Sequence, residues 1–145
     1  MEIQGVFLVS AGEHKDDRGT ITFFNEFDMT DVKRFYVIEH PNTEVVRAWQ
    51  GHRHEQKWFH VIAGGFKLGV VSLDKCDQSF DGAHPVIYLL EAFRPTILHV
   101  PGGYATGFQA LQDYSRMVVY SNVSVEGSQN DDYRFDKHLW SEIWT

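Results

Sequence analysis

Cysteine, proline, basic runs and long apolar segments are all scarce in this chain, and each scarcity excludes something. The one cysteine, Cys76, has no partner for an intramolecular disulfide. It stands in the polar run Asp74-Lys75-Cys76-Asp77, with no second cysteine to complete a redox pair, so a reducing compartment, the cytoplasm, is expected. No run of Lys or Arg occurs, and 13 basic against 20 acidic residues leave a formal net charge of -7. The phosphate attraction that nucleic-acid binding depends on is therefore missing, and nucleic acid is excluded as a partner. The N-terminal stretch carries no basic region and only a short apolar run, too short for a signal segment or a membrane span, so no membrane partner is expected. With four prolines, a hydrophobic fraction of 43% and 14% aromatics, the chain has enough apolar surface to offset its ordering entropy.

What remains is a sequence of 145 residues that suits one domain, 1–145, with no linker, repeat or low-complexity segment. Eight histidines are an excess for this length. Short apolar or alternating runs separated by turn signals predict an all-β fold, with strands over residues 6–10, 20–25, 33–39, 45–50, 58–63, 66–72, 86–90, 96–100, 107–111 and 116–122. Breakers fall between them at Asp17-Arg18-Gly19, His40-Pro41-Asn42, Gly64-Gly65, Asp81-Gly82-Ala83 and Pro101-Gly102-Gly103. The glycine pair predicts a hairpin joining 58–63 to 66–72. Helix is confined to one turn at 27–31 and a short terminal helix over 135–144, capped near Asp131 and Asp132.

The densest polar cluster spans residues 47–60, RAWQGHRHEQKWFH. Side chains alternate along a strand, so Gln50, His52 and His54 share a face if the strand is regular. In a jelly roll such a face lines the barrel interior and carries its imidazoles into a cavity. The other reading has Arg53, His54 and Glu55 decorating an exposed turn. His14, His40, His84 and His138 lie beside turn signals or near the end of the chain and are expected to face solvent, while His99 has no assigned role. Trp49, Trp58, Trp140 and Trp144 are expected in the core or at a subunit contact.

Several motifs, in order, carry a family resemblance. Asp16-Asp17-Arg18-Gly19 with Thr20-Ile21, then Val32-Lys33-Arg34-Phe35-Tyr36-Val37-Ile38, then Arg47 through Lys57, resemble the RmlC-like cupins that act on dTDP-linked 4-keto-6-deoxy sugars. The first half is similar to the WxcM-like sugar 3,4-ketoisomerases, with their Asp-x-Arg-Gly opening, Lys-Arg-x-Tyr strand and histidine-rich segment. The later half is more similar to the dTDP-4-dehydrorhamnose 3,5-epimerases. There Val100-Pro101-Gly102-Gly103-Tyr104-Ala105-Thr106-Gly107-Phe108 resembles Ile-Pro-x-Gly-Phe-Ala-His-Gly-Phe, and Tyr120 falls at a Tyr-Lys-Cys strand. The likeness implies a cupin double-stranded β-helix, or jelly roll, with a short C-terminal helix, in a homodimer whose subunits exchange N-terminal strands.

The resemblance also implies a chemistry. A 4-keto group acidifies neighbouring C–H bonds, so a base removes a proton if the developing enolate is stabilised. Lys57 matches the lysine that steadies the oxyanion, and Tyr120 the tyrosine that returns a proton from the opposite face. The epimerases' base position holds Gln50, which leaves His52, matching the second histidine of the ketoisomerases' His-Ala-His, as the base. Arg18 and Arg47 match arginines that hold pyrophosphate or sugar, as guanidinium forks suit phosphate. Tyr36, Gln50 and His54 are further binding residues, and Asp136 falls where the epimerases have an aspartate partnering the catalytic histidine. Thr106 and Glu126 replace the epimerases' second histidine and second tyrosine.

No cofactor is implied. The cupin metal pattern lacks its glutamate, replaced by Trp58 or Phe59, and its late histidine, so His52 and His54 with His60 are what a metal reading has to use. The implied function is metal-independent epimerisation or isomerisation of a nucleotide-linked, dTDP-type 4-keto-6-deoxy sugar in surface-polysaccharide synthesis. A 3,4-ketoisomerase, a catalytically silent sugar-nucleotide-binding cupin and a metal-dependent cupin enzyme are the alternatives.

Overall fold

The computed structural model describes residues 3–75 and 84–144; Cys76 and the turn signal at Asp81-Gly82-Ala83 lie outside the described residues. All ten expected strands form, all but β9 with shifted ends: β1 (Phe7–Ser10), β3 (Gly19–Phe23), β4 (Arg34–His40), β5 (Val46–His52), β6 (Lys57–Ala63), β7 (Gly65–Ser72), β8 (Val86–Glu91), β9 (Thr96–Val100), β10 (Tyr104–Ala110) and β11 (Ser115–Ser121). Two more were not foreseen. The arm β2 (Gly12–Asp16) is too polar to show alternation, and β12 (Tyr133–Arg134) exists only through its pairing with β5.

The strands form two five-stranded antiparallel sheets, ordered β1-β9-β6-β11-β4 and β12-β5-β10-β7-β8, and a separate β2-β3 hairpin. Facing each other, the two sheets make the expected jelly roll. Their inner faces meet over Phe59, Val61, Phe66, Leu68, Val70, Leu98, Met117 and Val119, all at 2% exposure or less. Burying each of these large apolar side chains contributes about 1.5–3 kcal/mol.

Gly64 takes a left-handed φ of +67, as a turn glycine should. The hairpin expected there does not form. β6 pairs with β9 and β11, while β7 pairs with β8 and β10, so the turn carries the chain from one sheet into the other. Phe59 and Val61 then face Phe66 and Leu68 across the core, a burial that pairing the two strands side by side would not give.

Helix is as scarce as expected but sits elsewhere. The short helix is α1 (Val125–Gln129), capped by the Ser124 hydroxyl on the Gly127 N–H. Over 135–144 there is instead one 3-10 turn, Ser141–Ile143, because Trp140 adopts a left-handed φ of 54 and the segment lies flat on the barrel. Residues 27–31 form turns rather than helix. No helix among the described residues is long and apolar enough to cross a membrane.

Candidate active site

One strand, β5, brings three polar side chains of the cluster, Arg47, Gln50 and His52, to the site. Its register with β10 places Gln50 opposite Thr106 and Arg47 opposite Phe108, so Ala48 and Trp49 together oppose Gly107. This bulge resets the alternation. Arg47, Gln50 and His52 all face the interior, while Trp49 turns outward to stack on Trp140 and Trp144. Gly107 is what leaves room for the crossing, since a Cβ there would stand 2.7 Å from that of Ala48.

The result is a cavity of about 520 Å³ between the edges of the two sheets. Arg47, Lys57 and Arg134 line it with Tyr36, Gln50 and Thr106; Glu39 borders it, with its carboxylate on the outer side of the sheet against Arg116. A chain of net charge -7 has thus gathered three cations around one hollow. Deeper in, a chamber of about 10 Å³ adjoins it, sharing Gln50, Lys57, Phe59 and Thr106 and adding His52, Glu55 and Tyr104.

His52 is 5% exposed. Its Nδ1–H donates to the Asp131 carbonyl at 2.6 Å, which puts the proton on Nδ1 and leaves the Nε2 lone pair free. That Nε2 is buried and has no hydrogen-bond partner among the described residues. Burial, then the nearby Lys57 charge, pushes the imidazole pKa below its ordinary value against the opposing pull of Asp131 and Glu55. At neutral pH the ring is therefore an uncharged base with one lone pair in the chamber.

Two acids, neither singled out from sequence, hold this arrangement. Asp131 accepts backbone N–H groups from Arg53 (2.7 Å), His54 (2.8 Å) and Glu55 (2.9 Å), fixing the turn that follows β5. Burial raises its pKa, and the three N–H donors outweigh that and keep the carboxyl below its usual value. Glu55, fully buried, accepts from Ser128 Oγ at 2.7 Å and Ser121 Oγ at 2.8 Å, with Arg34 at 3.4 Å and Lys57 Nζ at 4.0 Å. Lys57 is thereby held with its ammonium between Glu55 and the cavity. Above it the Tyr36 ring receives both Lys57 (5.8 Å) and Arg34 (5.3 Å) as cation–π neighbours. Gln50 Nε2 donates to Asp132 at 3.0 Å, and Asp132 also receives Arg134 Nε at 3.2 Å.

Of the residues expected at the site, the structure brings together Tyr36, Arg47, Gln50, His52 and Lys57. It separates four. Tyr120 alternates with the inward Met117, Val119 and Ser121, so it points out of the barrel, where its ring meets Phe27 and Phe35. Arg18 sits at the tip of the β2–β3 hairpin, exposed and paired with Asp16 at 2.6 Å. His54 is exposed because β5 ends at His52 and alternation stops there. Asp136 is exposed and caps a local turn by accepting the His138 N–H at 2.8 Å; the backbone carbonyl of Asp131 takes the role on His52 expected of it.

His60 shares the outer face with Tyr120, and no three His, Cys, Asp or Glu side chains among the described residues converge as a metal-binding group. His14, His84 and His138 are exposed as expected, but His40 is fully buried, its ring against Phe66 and Phe108. The residues that sequence reasoning missed, Glu55, Asp131, Asp132 and Arg134, act through contacts of 66 or more residues' separation or through β12, and no local pattern announces them.

A barrel of this topology, with a charged and imidazole-bearing interior, has the fold of the RmlC-like cupins. The structures similar to it include the RmlC epimerase of Mycobacterium tuberculosis (TM-score 0.73, 18% identity, covering 92% of this chain and 70% of that one). The 3'-monoepimerase ChmJ of Streptomyces bikiniensis, solved with dTDP-quinovose, superposes with a TM-score of 0.78 at 16% identity over 95% of this chain and 73% of that one. A variant of the 3,4-ketoisomerase QdtA of Thermoanaerobacterium thermosaccharolyticum, solved with TDP-4-keto-6-deoxyglucose, gives 0.73 at 14% identity over 99% and 96%. No family model matches the sequence, and no curated protein matches it.

Proposed function

We propose that this protein is an isomerase or epimerase of a nucleotide-linked, dTDP-type 4-keto-6-deoxy sugar. The observation that carries the reading is His52, neutral, tautomerically fixed and with a free Nε2, beside the Lys57 ammonium at the inner end of a cavity lined by cations. Nε2 takes the proton from the carbon next to the carbonyl, and the electron pair moves onto the carbonyl oxygen. Lys57 stabilises the enolate that forms. Arg47 and Arg134, at the wider part of the cavity, suit the diphosphate. The neighbours that bind dTDP or a dTDP sugar support that choice of substrate class. No cofactor is required, because base and oxyanion stabiliser both come from side chains.

A second reading, 3,4-ketoisomerisation, is favoured by two findings: the cavity and its inner chamber together hold one imidazole, His52, and Tyr120 faces away from them. Inversion at a carbon needs a proton delivered from the opposite face, whereas moving the carbonyl needs one base that takes the C3 proton and returns it at C4 while the hydroxyl proton passes from O3 to O4. In the inversion reading Tyr36 is the hydroxyl within the cavity that can serve as the acid.

The working unit is a homodimer in the cytoplasm. The β2–β3 hairpin pairs with no other described strand and exposes Ile21 and Phe23, which fits exchange with a second subunit and would carry Arg18 to that subunit's cavity. The test is incubation with dTDP-4-keto-6-deoxyglucose in deuterated water, read by NMR. Solvent deuterium at carbon next to the carbonyl, lost in His52→Asn, is expected. Binding of the nucleotide sugar with neither exchange nor a new product would leave a binding protein and overturn the enzymatic reading, and the product separates the two enzymatic ones.

A further inference from the structure

We propose that His40, buried outside the cavity, is a positioning residue that holds the Arg47 guanidinium on the cavity wall for an anionic ligand. The proposal rests on the reading of the cavity as a sugar-nucleotide site. His40 ends β4 and is 0% exposed. Its ring packs edge-on against Phe66 of β7 at 5.2 Å and tilted against Phe108 of β10 at 5.7 Å, and across the ladder it faces Ser115 of β11. Against its Nε2, at 3.2 Å, stands Nε of Arg47 from β5. Arg47 is the one charged group facing this ring among the described residues; Glu39 and Arg116, its neighbours in sequence and register, pair with each other on the outer side of the sheet.

The direction of this hydrogen bond decides its use. Arg47 Nε–H donates, so His40 contributes a lone pair from a ring that is neutral and protonated on Nδ1. With Nε engaged, the side chain's reach is set, and Nη1 and Nη2 have no hydrogen-bond partner among the described residues. A long side chain that is already placed loses less rotamer freedom when a diphosphate arrives. A protonated His40 has no lone pair to offer and sets two positive charges 3.2 Å apart. Burial, then the charge of Arg47, holds the imidazole below its ordinary pKa, so the arrangement persists at neutral pH and is released in acid.

The experiment has a ligand-free arm and a ligand arm. In a proton–nitrogen correlation spectrum of the unliganded protein, Arg47 Nε–H is expected to exchange slowly at neutral pH. Its shift should follow the His40 titration as pH falls from about 8 to about 5 and stay flat in His40→Gln, which keeps an acceptor and cannot protonate. An Arg47 Nε–H that exchanges like a free surface arginine overturns the proposal. In calorimetric titrations with dTDP, His40→Leu should weaken binding about tenfold in the native background and less than about twofold beside Arg47→Ala. Equal losses in both backgrounds would show His40 acting through the core instead of through Arg47. If dTDP fails to bind the native protein while inorganic pyrophosphate shows the same His40 and Arg47 dependence, the positioning role stands and the nucleotide reading falls.

Discussion

His52 and His99 are both buried imidazoles with depressed pKa values, one facing the interior from β5 and the other the outer face of the opposite sheet from β9. His99 lies outside, under Phe7 and beside Trp58, with Nδ1 at 3.1 Å from the Gly5 carbonyl and Nε2 at 2.9 Å from Gln56 Oε1. As a neutral ring it donates Nδ1–H to the Gly5 carbonyl, which ties the N-terminal segment to the barrel, and its Nε2 accepts from the Gln56 amide once the NH2 end of that amide is turned towards it. His52 has one nitrogen occupied, by Asp131, and the other free inside a chamber that Lys57 shares. Burial is common to the two; they differ in the unspent lone pair of His52 and the cation placed near it, on which its proposed role as base rests. The same division runs through the aromatic hydroxyls, with Tyr36 lining the cavity and Tyr120 packed among Phe27 and Phe35 outside.

The sharpest way to break this comparison is to exchange asparagine for each histidine. His52→Asn should lower deuterium exchange by about 10²–10⁴-fold, the range for a lost general base, while His99→Asn should leave it within a few-fold and lower thermal stability instead. Comparable losses of exchange from both would erase the distinction. Next in size is the support beneath the inner face. Glu55→Ala strips Arg34 and Lys57 of their buried counter-charge and should cost roughly 3–5 kcal/mol in denaturant unfolding. A cost near zero would mean that Glu55 does not anchor the site.

A smaller effect comes from pH and covers both faces. His40, His52, His60 and His99 all have folded pKa values below the ordinary 6.5. Below that value the unfolded chain binds protons that the folded chain refuses, so this stability is complete above 6.5 and is lost as pH falls towards the folded values. The melting temperature at about pH 5 should lie roughly 5 °C or more under that at about pH 7.5, and a flat profile across this window would contradict the burial of these rings. The acid limb of the rate profile should also lie below 6.5, because His52 acts unprotonated. Smallest of all, Tyr120→Phe keeps the ring contacts and should change exchange by less than about twofold. A large loss there would return Tyr120 to the proton-transfer machinery.

The strands were legible because a half-buried strand writes its two faces into alternate residues, and ten such runs read correctly. The polar cluster at 47–60 was legible as a site for the same reason. Where alternation broke, the reading failed. The bulge at Ala48 and Trp49 turned Trp49 out and kept Arg47, Gln50 and His52 in, and the end of β5 at His52 released His54 to solvent. Sequence spacing also gave no sign that Gly64 joins two sheets, since a tight turn looks the same whether its strands pair or part. The exposed arm β2 and the two-residue β12 carry no periodic signal at all.

Composition and alternation were thus enough to settle an all-β chain of net negative charge and to bring Gln50 and His52 to one face of a strand. They did not decide which of the eight histidines would keep a fixed tautomer and a lone pair turned into the interior. That choice came from partners far along the chain. Asp131, 79 residues beyond His52, supplies the carbonyl that fixes its tautomer, and the three cations of the cavity arrive from β5, β6 and β12. Tautomer, desolvation and local field are properties of an assembled neighbourhood. A side chain acquires them only when the barrel closes and excludes water from one of its nitrogens.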